Sequence, residues 1–330
     1  HYDLQKNKGQ AQIYRTNIES GETIVFTKAE GSVGNIIMNP KNNKVGILLD
    51  GQLWEYNLDG GDEVNRTNFP FPISNVKYHP SGESILFTYS VKIGEGLPHK
   101  ELDKSNFKVY DDLMFRHWST WNDNTHSHVA YADLLDAKMG RKHVDIMPNE
   151  PFDVPTKPFG GAEDVIWGPN GKSIIYQCKK LEGFEYARST NSDIYQYNLV
   201  TKKTVNLTEE NKGYDTHPVL GDDGSTLAYL SMKRDGYESD KNDLILFNFE
   251  TGKRFNLTDS KDITISGFEF GKKGEFWVTT PQKGTYKVAR LTHNGESAES
   301  IEMLTREVAD YRSVIPFGKQ LLVSKMSMNR

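Results

Sequence analysis

Apolar and polar residues alternate along the chain in short runs, and the runs come in two recurring patterns. The first is an apolar or aromatic run, a turn rich in Pro, Gly, Asn or Asp, and a second apolar run. It occurs at 36–49 (IIMNPKNNKVGILL), 76–89 (VKYHPSGESILFTY), 165–176 (VIWGPNGKSIIY), 219–230, 268–278 and 313–323. The second is an alternating strand, a tight turn and a strand ending near Leu-Thr. Its copies are 12–27, 52–67, 193–208 (DIYQYNLVTKKTVNLT) and 243–258 (DLILFNFETGKRFNLT), with looser copies at 128–147 and 285–305. Period-2 alternation broken by Gly, Asn and Asp predicts β-hairpins. The two patterns interleave, so the chain reads as six inner and six outer hairpins.

The first-pattern turn residues Asn43, Gly82, Gly171, Gly224, Gly274 and Gly318 are separated by 39, 89, 53, 50 and 44 residues. A blade of four short antiparallel strands takes about 40 to 50 residues, and the longest gap holds an insertion. The predicted fold is therefore an all-β propeller of four-stranded blades. It starts on an outer hairpin and ends on an inner one. Either seven blades are present with the first and last halved, or the end hairpins meet in a sixth. Unpaired edges on halved blades would invite association. The Trp-Asp signature of one common propeller repeat is absent.

Propeller topology sorts the loops. Turns between first and second strands leave one face, and second-to-third and blade-to-blade connections leave the other. The long segments 90–127, 148–164, 179–192 and 232–242 all fall in the second class, which makes that face the working one, since scaffolds carry function on variable loops.

Composition narrows the function classes. The 330 residues are 36% hydrophobic, enough for a core, and contain no apolar run long enough to cross a membrane as a helix. No signal peptide is recognisable at the start. Forty basic residues against 45 acidic ones give a net charge of −5 without a basic stripe, which argues against nucleic acid as a partner. The single Cys178 excludes an internal disulfide and a multi-cysteine metal site. It ends an apolar run and reads as a packed thiol.

Catalytic signatures are missing: there is no Gly-x-Ser-x-Gly elbow, His-Glu-x-x-His, phosphate loop or dinucleotide fingerprint. His126 and His128, near His117, have metal-ligand spacing but no companion carboxylate cluster, so neither metal nor cofactor is expected. Asn-x-Thr occurs at Asn65, Asn206 and Asn256, at the ends of equivalent strands. Repetition of the blade accounts for it better than glycosylation does.

Acidic pairs are the candidate chemistry. Glu163 and Asp164 stand just before an inner strand, and Glu238 and Asp240 lie in the loop Arg234-Asp235-Gly236-Tyr237-Glu238-Ser239-Asp240. Carboxylates in a partly desolvated funnel suit a substrate ammonium through charge-assisted hydrogen bonds; pairing with neighbouring Lys and Arg is the plainer alternative. Within a helical insertion expected at about 91–127, Met114, Trp118 and Trp121 have the spacing of one helix face. With Arg234 and Tyr237, Trp118 and Trp121 form a candidate substrate wall.

Four motifs carry a resemblance: Asp112-Leu113-Met114-Phe115-Arg116-His117-Trp118, Ser189-Thr190-Asn191-Ser192-Asp193-Ile194-Tyr195, Gly213-Tyr214-Asp215-Thr216 and Arg234 through Asp240. In this order they resemble the propeller of the prolyl oligopeptidase family of serine peptidases, in its bacterial dipeptidyl peptidase 5 and acylaminoacyl peptidase branch. The resemblance covers nearly the whole chain. It implies a partner α/β-hydrolase domain supplying Ser, Asp and His, which this chain lacks, and peptide substrates that the propeller filters and orients. It also implies a periplasmic or secreted location. The alternative is a stand-alone TolB-like propeller acting in protein–protein interaction.

Overall fold

In the computed structural model, residues 2–5, 7–9, 12–27, 33–94, 104–105, 107–140 and 142–328 are described. The fold is all-β, built from repeated four-stranded antiparallel sheets in a propeller-like domain. The chain clusters into two compact units, one of residues 1–111, 115–172 and 199–202, the other of residues 112–114, 173–198 and 203–330.

The first unit contains the hairpin Ile13–Thr16 with Thr23–Thr27 and two full sheets. One sheet runs Val33–Met38, Val45–Leu49, Gln52–Tyr56 and Val64–Asn65; the other runs Ile73–Tyr78, Ser84–Lys92, Thr125–Asp133 and Val144–Asp145. Its larger core joins Leu53, Ile73, Ile85, Phe87 and Ala130, all essentially inaccessible to solvent. A further sheet is ordered Val165–Trp167, Ser173–Cys178, Asp193–Asn198 and Thr204–Asn206, and the division between units falls after its first strand. The second unit adds the sheets spanning Asp215–Leu220 to Arg254–Asn256 and Gly267–Phe270 to Ala298–Met303, then the hairpin Asp310–Phe317 with Gln320–Met326. Leu244, Ile265, Phe276 and Leu291 centre its core. Among the described residues there are thus five four-stranded sheets; two two-stranded pairs, Tyr2–Asp3 with Lys8–Gly9 and Ile13–Thr16 with Thr23–Thr27, precede the series, and the hairpin Asp310–Phe317 with Gln320–Met326 follows it.

Every predicted hairpin forms, closed by its turn; the strands of the five four-stranded sheets supply most of the buried residues, whereas Gln320–Met326 has none. Cys178 is fully buried. Antiparallel register fixes which connections share an end of each sheet. Ser84 pairs with Asp133 beside the Gly82 turn, and Lys92 pairs with Thr125 at the far end, where the long insertion leaves. Likewise Cys178 pairs with Asp193 and Ser231 with Asp243 at the ends from which 179–192 and 232–242 depart.

The recurring Leu-Thr has a structural reason. In the sheet of Asp243–Asn248, the Leu244 N–H donates to the Thr258 hydroxyl at 3.0 Å, and that hydroxyl donates to Asp243 at 2.7 Å. Asn256 accepts from the Thr258 N–H at 3.0 Å and donates to Asp243 at 3.0 Å. The same clasp recurs from Ile194 N–H to Thr208 at 3.0 Å, from Leu53 N–H to Thr67 at 2.8 Å and from Val288 N–H to Thr305 at 3.0 Å. The Asn-Leu-Thr repeats are therefore strand closures. Thr258→Val keeps the side chain's shape but leaves a buried N–H and a carboxylate short of a partner. It is expected to cost about 1 to 3 kcal/mol, read as a lower urea midpoint. Thr258→Ser keeps the hydroxyl and should lose clearly less; equal losses would deny the clasp its role.

A second recurrence lies in the innermost strands. At Asn75, His217 and Ser313 the strand carries one residue more than its partner, and the backbone turns to φ values of 51°, 57° and 54°. These are β-bulges, which bend a strand and re-aim its side chains.

Candidate functional site

Glu163 and Asp164 close a single 3₁₀ turn, Ala162–Asp164, that delivers the chain into the strand Val165–Trp167. The two carboxylates differ. Asp164 is 1% exposed, and its carboxylate accepts the Gly161 N–H at 3.2 Å, so it braces its own turn. Glu163 is exposed. Beside them, on the strand Ile73–Tyr78, is Lys77, which the sequence did not single out. Burial pushes its ammonium down to about 8, against the upward pull of the Glu163 and Asp164 charges. The acid pair thus already has a cation in its field, and one whose charge is poorly solvated.

The loop 232–242 holds the second pair. Arg234 binds Asp240 with two donors, Nη2 to Oδ1 at 2.7 Å and Nε to Oδ2 at 3.2 Å, and the Arg234 backbone N–H adds a third bond at 3.0 Å. The same guanidinium stacks over the Tyr237 ring at 4.0 Å. That hydrogen-bonded guanidinium holds the Asp240 carboxyl below the usual carboxylate range. Asp240 and Tyr237 therefore order Arg234, while Glu238 is exposed. The loop is pinned through Asp235, which accepts from the Ser189 hydroxyl at 2.6 Å and the Thr190 N–H at 2.8 Å. Ser189-Thr190 and Asp235-Gly236, singled out separately in the sequence, meet here.

The insertion corrects an expectation. Its described part, 91–94, 104–105 and 107–127, contains no helix; 95–103 and 106 lie outside the described residues. Arg116–His117 instead pairs with Thr120–Trp121 as a small hairpin, with Trp118 in the turn at φ 48°. Phe, His, Thr and Trp are weak helix formers that favour extended backbone, and a run this short cannot nucleate a helix alone. The two tryptophans consequently part company. Trp118 is 70% exposed and meets Phe159 edge-on at 6.0 Å. Trp121 stacks with Tyr110 at 6.1 Å beneath the Arg116 guanidinium.

The histidine pair has a different use. His128 is fully buried, with Nδ1 2.8 Å from the Asp145 carboxylate and Nε2 2.8 Å from the Glu150 carbonyl. Two acceptors require both ring nitrogens to donate, which describes an imidazolium. Burial alone would lower its pKa, but the Asp145 hydrogen bond and charge, with the Glu150 carbonyl, raise it overall. Asp145 also accepts from Tyr89 at 3.1 Å and from the Met147 N–H at 2.8 Å, and it is held below the usual range despite burial. His126 lies 3.8 Å from Asp153 instead. Among the described residues no group of three or more His, Cys, Asp or Glu could hold a metal.

One buried carboxyl lies in the motif Gly213-Tyr214-Asp215-Thr216, outside the candidate acid pairs. Asp215 is 1% exposed, accepts from Asn211 at 2.9 Å, and burial pushes it up to about 7. Nothing in its local sequence separates it from the other strand-opening acids, Asp193 and Asp243.

No protein-family model matches the chain. It is 36% identical over 217 residues to dipeptidyl-peptidase 5 of Porphyromonas gingivalis, a match covering 64% of this chain and 31% of that protein. The matched stretches span about a third of the length of such relatives, 31% in this case and 35% for the Porphyromonas endodontalis protein. Among solved structures, acylaminoacyl peptidase of Pyrococcus horikoshii superposes with a TM-score of 0.66 at 14% identity, over 98% of this chain and 46% of that one. TolB of Acinetobacter baumannii gives 0.50 at 13% identity, over 90% and 60%. At such identities the structures speak for the fold alone. They make this chain a propeller-fold domain, and the sequence match relates it broadly to the prolyl oligopeptidase and acylaminoacyl peptidase superfamily.

Proposed function

We propose that residues 1–330 are the propeller of a dipeptidyl-peptidase-5-type serine exopeptidase, periplasmic or secreted, in which the loops beside Glu163 and Arg234 filter and orient peptides for an α/β-hydrolase domain. The observation that carries this reading is the 36% identity over 217 residues to a dipeptidyl-peptidase 5. The pinned loop 232–242 and the exposed Glu163 and Glu238 support it chemically, since they offer ordered charge to a peptide terminus. A TolB-like interaction module ranks second, because that likeness is one of fold.

The chain carries no nucleophile elbow. By itself it is expected to show no peptidase turnover and no labelling by a fluorophosphonate probe, whereas the full-length protein should label once and release dipeptides from free N-termini. Stoichiometric labelling of this chain alone would place the nucleophile within it and overturn the reading. A full-length protein without a Gly-x-Ser-x-Gly elbow would favour the interaction module.

A further inference from the structure

The second unit contains a cavity of about 420 Å³ that neither acid pair lines. It is large enough for a small ligand or a peptide end. Three innermost strands, Asp215–Leu220, Gly267–Phe270 and Asp310–Phe317, contribute to its wall. Two of them do so at their bulges. His217 and Ser313 line the cavity at φ 57° and 54°. The same bulge elsewhere uses Asn75, a residue type that tolerates a left-handed backbone better than Ser does. A strained conformation kept at a cavity wall is the kind of outlier from which a function is properly sought.

The charge in the cavity is specific. Arg312 lies over the Tyr286 ring at 4.1 Å, and both residues line the space. Contact with the ring holds the guanidinium at the cavity wall, and a guanidinium suits a carboxylate through two parallel bonds. No ion pair to Arg312 occurs among the described residues. Ser266 and Ser313 line the same space, and Glu269 is its one acidic residue. Burial pushes the Glu269 pKa up.

We propose that this cavity is a carboxylate-binding site, in which Arg312, oriented by Tyr286, pairs with a carboxylate of a peptide while the serine hydroxyls donate to its remaining lone pairs. The carboxylate belongs to a peptide C-terminus or to an acidic side chain. The inference does not depend on the peptidase reading, because the site lies in this chain and needs no hydrolase domain.

Calorimetric titration of the 330-residue chain tests it with three probes: Ac-Ala-Ala-Phe-OH, its C-terminal amide, and Ac-Ala-Asp-Phe-NH₂. At least one acid probe should bind saturably, and the first amide at least about tenfold more weakly. Preference between the acids identifies the source of the carboxylate. Arg312→Gln should weaken the bound acid about tenfold or more, and Arg312→Lys by less, because Lys keeps the charge without the fork. Amide resonances of His217, Gly267 and Ser313 should shift with the acid probe. Should Arg312→Gln fail to fold, the acid-against-amide contrast and these shifts decide on the wild-type chain. Equal binding of acid and amide, no binding of either acid up to about 10 mM, or a folded Arg312→Gln that binds like wild type would overturn the proposal.

Discussion

Replacing His128 with leucine is expected to lower the unfolding free energy by about 3 to 5 kcal/mol, the usual consequence of removing one partner of a buried ion pair. Asp145 would keep the Tyr89 hydroxyl and the Met147 N–H but lose the cation that sits 2.8 Å away, and the Glu150 carbonyl would lose its donor. The double variant His128→Leu/Asp145→Leu should recover part of the loss, since it leaves no charge stranded. The pH dependence has a definite sign. His128 has a folded pKa above its unfolded value, so its contribution is complete below about 6.5 and fades as pH rises through the folded pKa. Asp145 is depressed, so its contribution is present above about 3.9 and fades as pH falls. Urea titrations should therefore show the largest gap between wild type and His128→Leu from about pH 4 to 6.5. A gap that widens steadily above pH 8 would mean that the buried imidazole is neutral.

The hairpins were legible in the sequence because two signals agree in each. The apolar run Ile85-Leu86-Phe87 is fully buried, and a Pro-Ser-Gly turn precedes it; either signal alone would have been weak. The insertion had only one signal. The spacing of Met114, Trp118 and Trp121 matches a helix face, yet it also arises when aromatic residues populate a hairpin, and their propensity decided for the hairpin. The bulges at Asn75, His217 and Ser313 were invisible because one added residue looks like a phase slip in the alternation, and only pairing shows which strand carries it. For the candidate site, the sequence located the acids but could not say which were engaged. Asp164 and Asp240 are bound by Gly161 and Arg234, groups within a few residues. Lys77 comes from a different sheet than the acids it faces, and no local pattern could have brought it to them.

That division among the acids sharpens the expected outcome for substrate anchoring. An exopeptidase must recognise a free N-terminus, and a carboxylate is the simplest complement to an ammonium. On the proposed peptidase reading, Glu→Gln and Asp→Asn in the full-length protein at the acting pair, Glu163 with Asp164 or Glu238 with Asp240, should cut kcat/KM on dipeptidyl substrates by roughly 30-fold or more, about 2 kcal/mol of lost anchoring. An N-blocked substrate has no ammonium to lose and should be affected much less. Within either pair the glutamate should account for most of the effect, since Asp164 and Asp240 already accept hydrogen bonds from the protein. Lys77 supplies an internal check: with burial no longer opposed by Glu163, its pKa should fall below about 8 in Glu163→Gln. Equal losses on free and blocked substrates would indicate a folding defect. Unchanged kinetics at all four positions would move the anchor elsewhere, with the proposed hydrolase domain the first place to look.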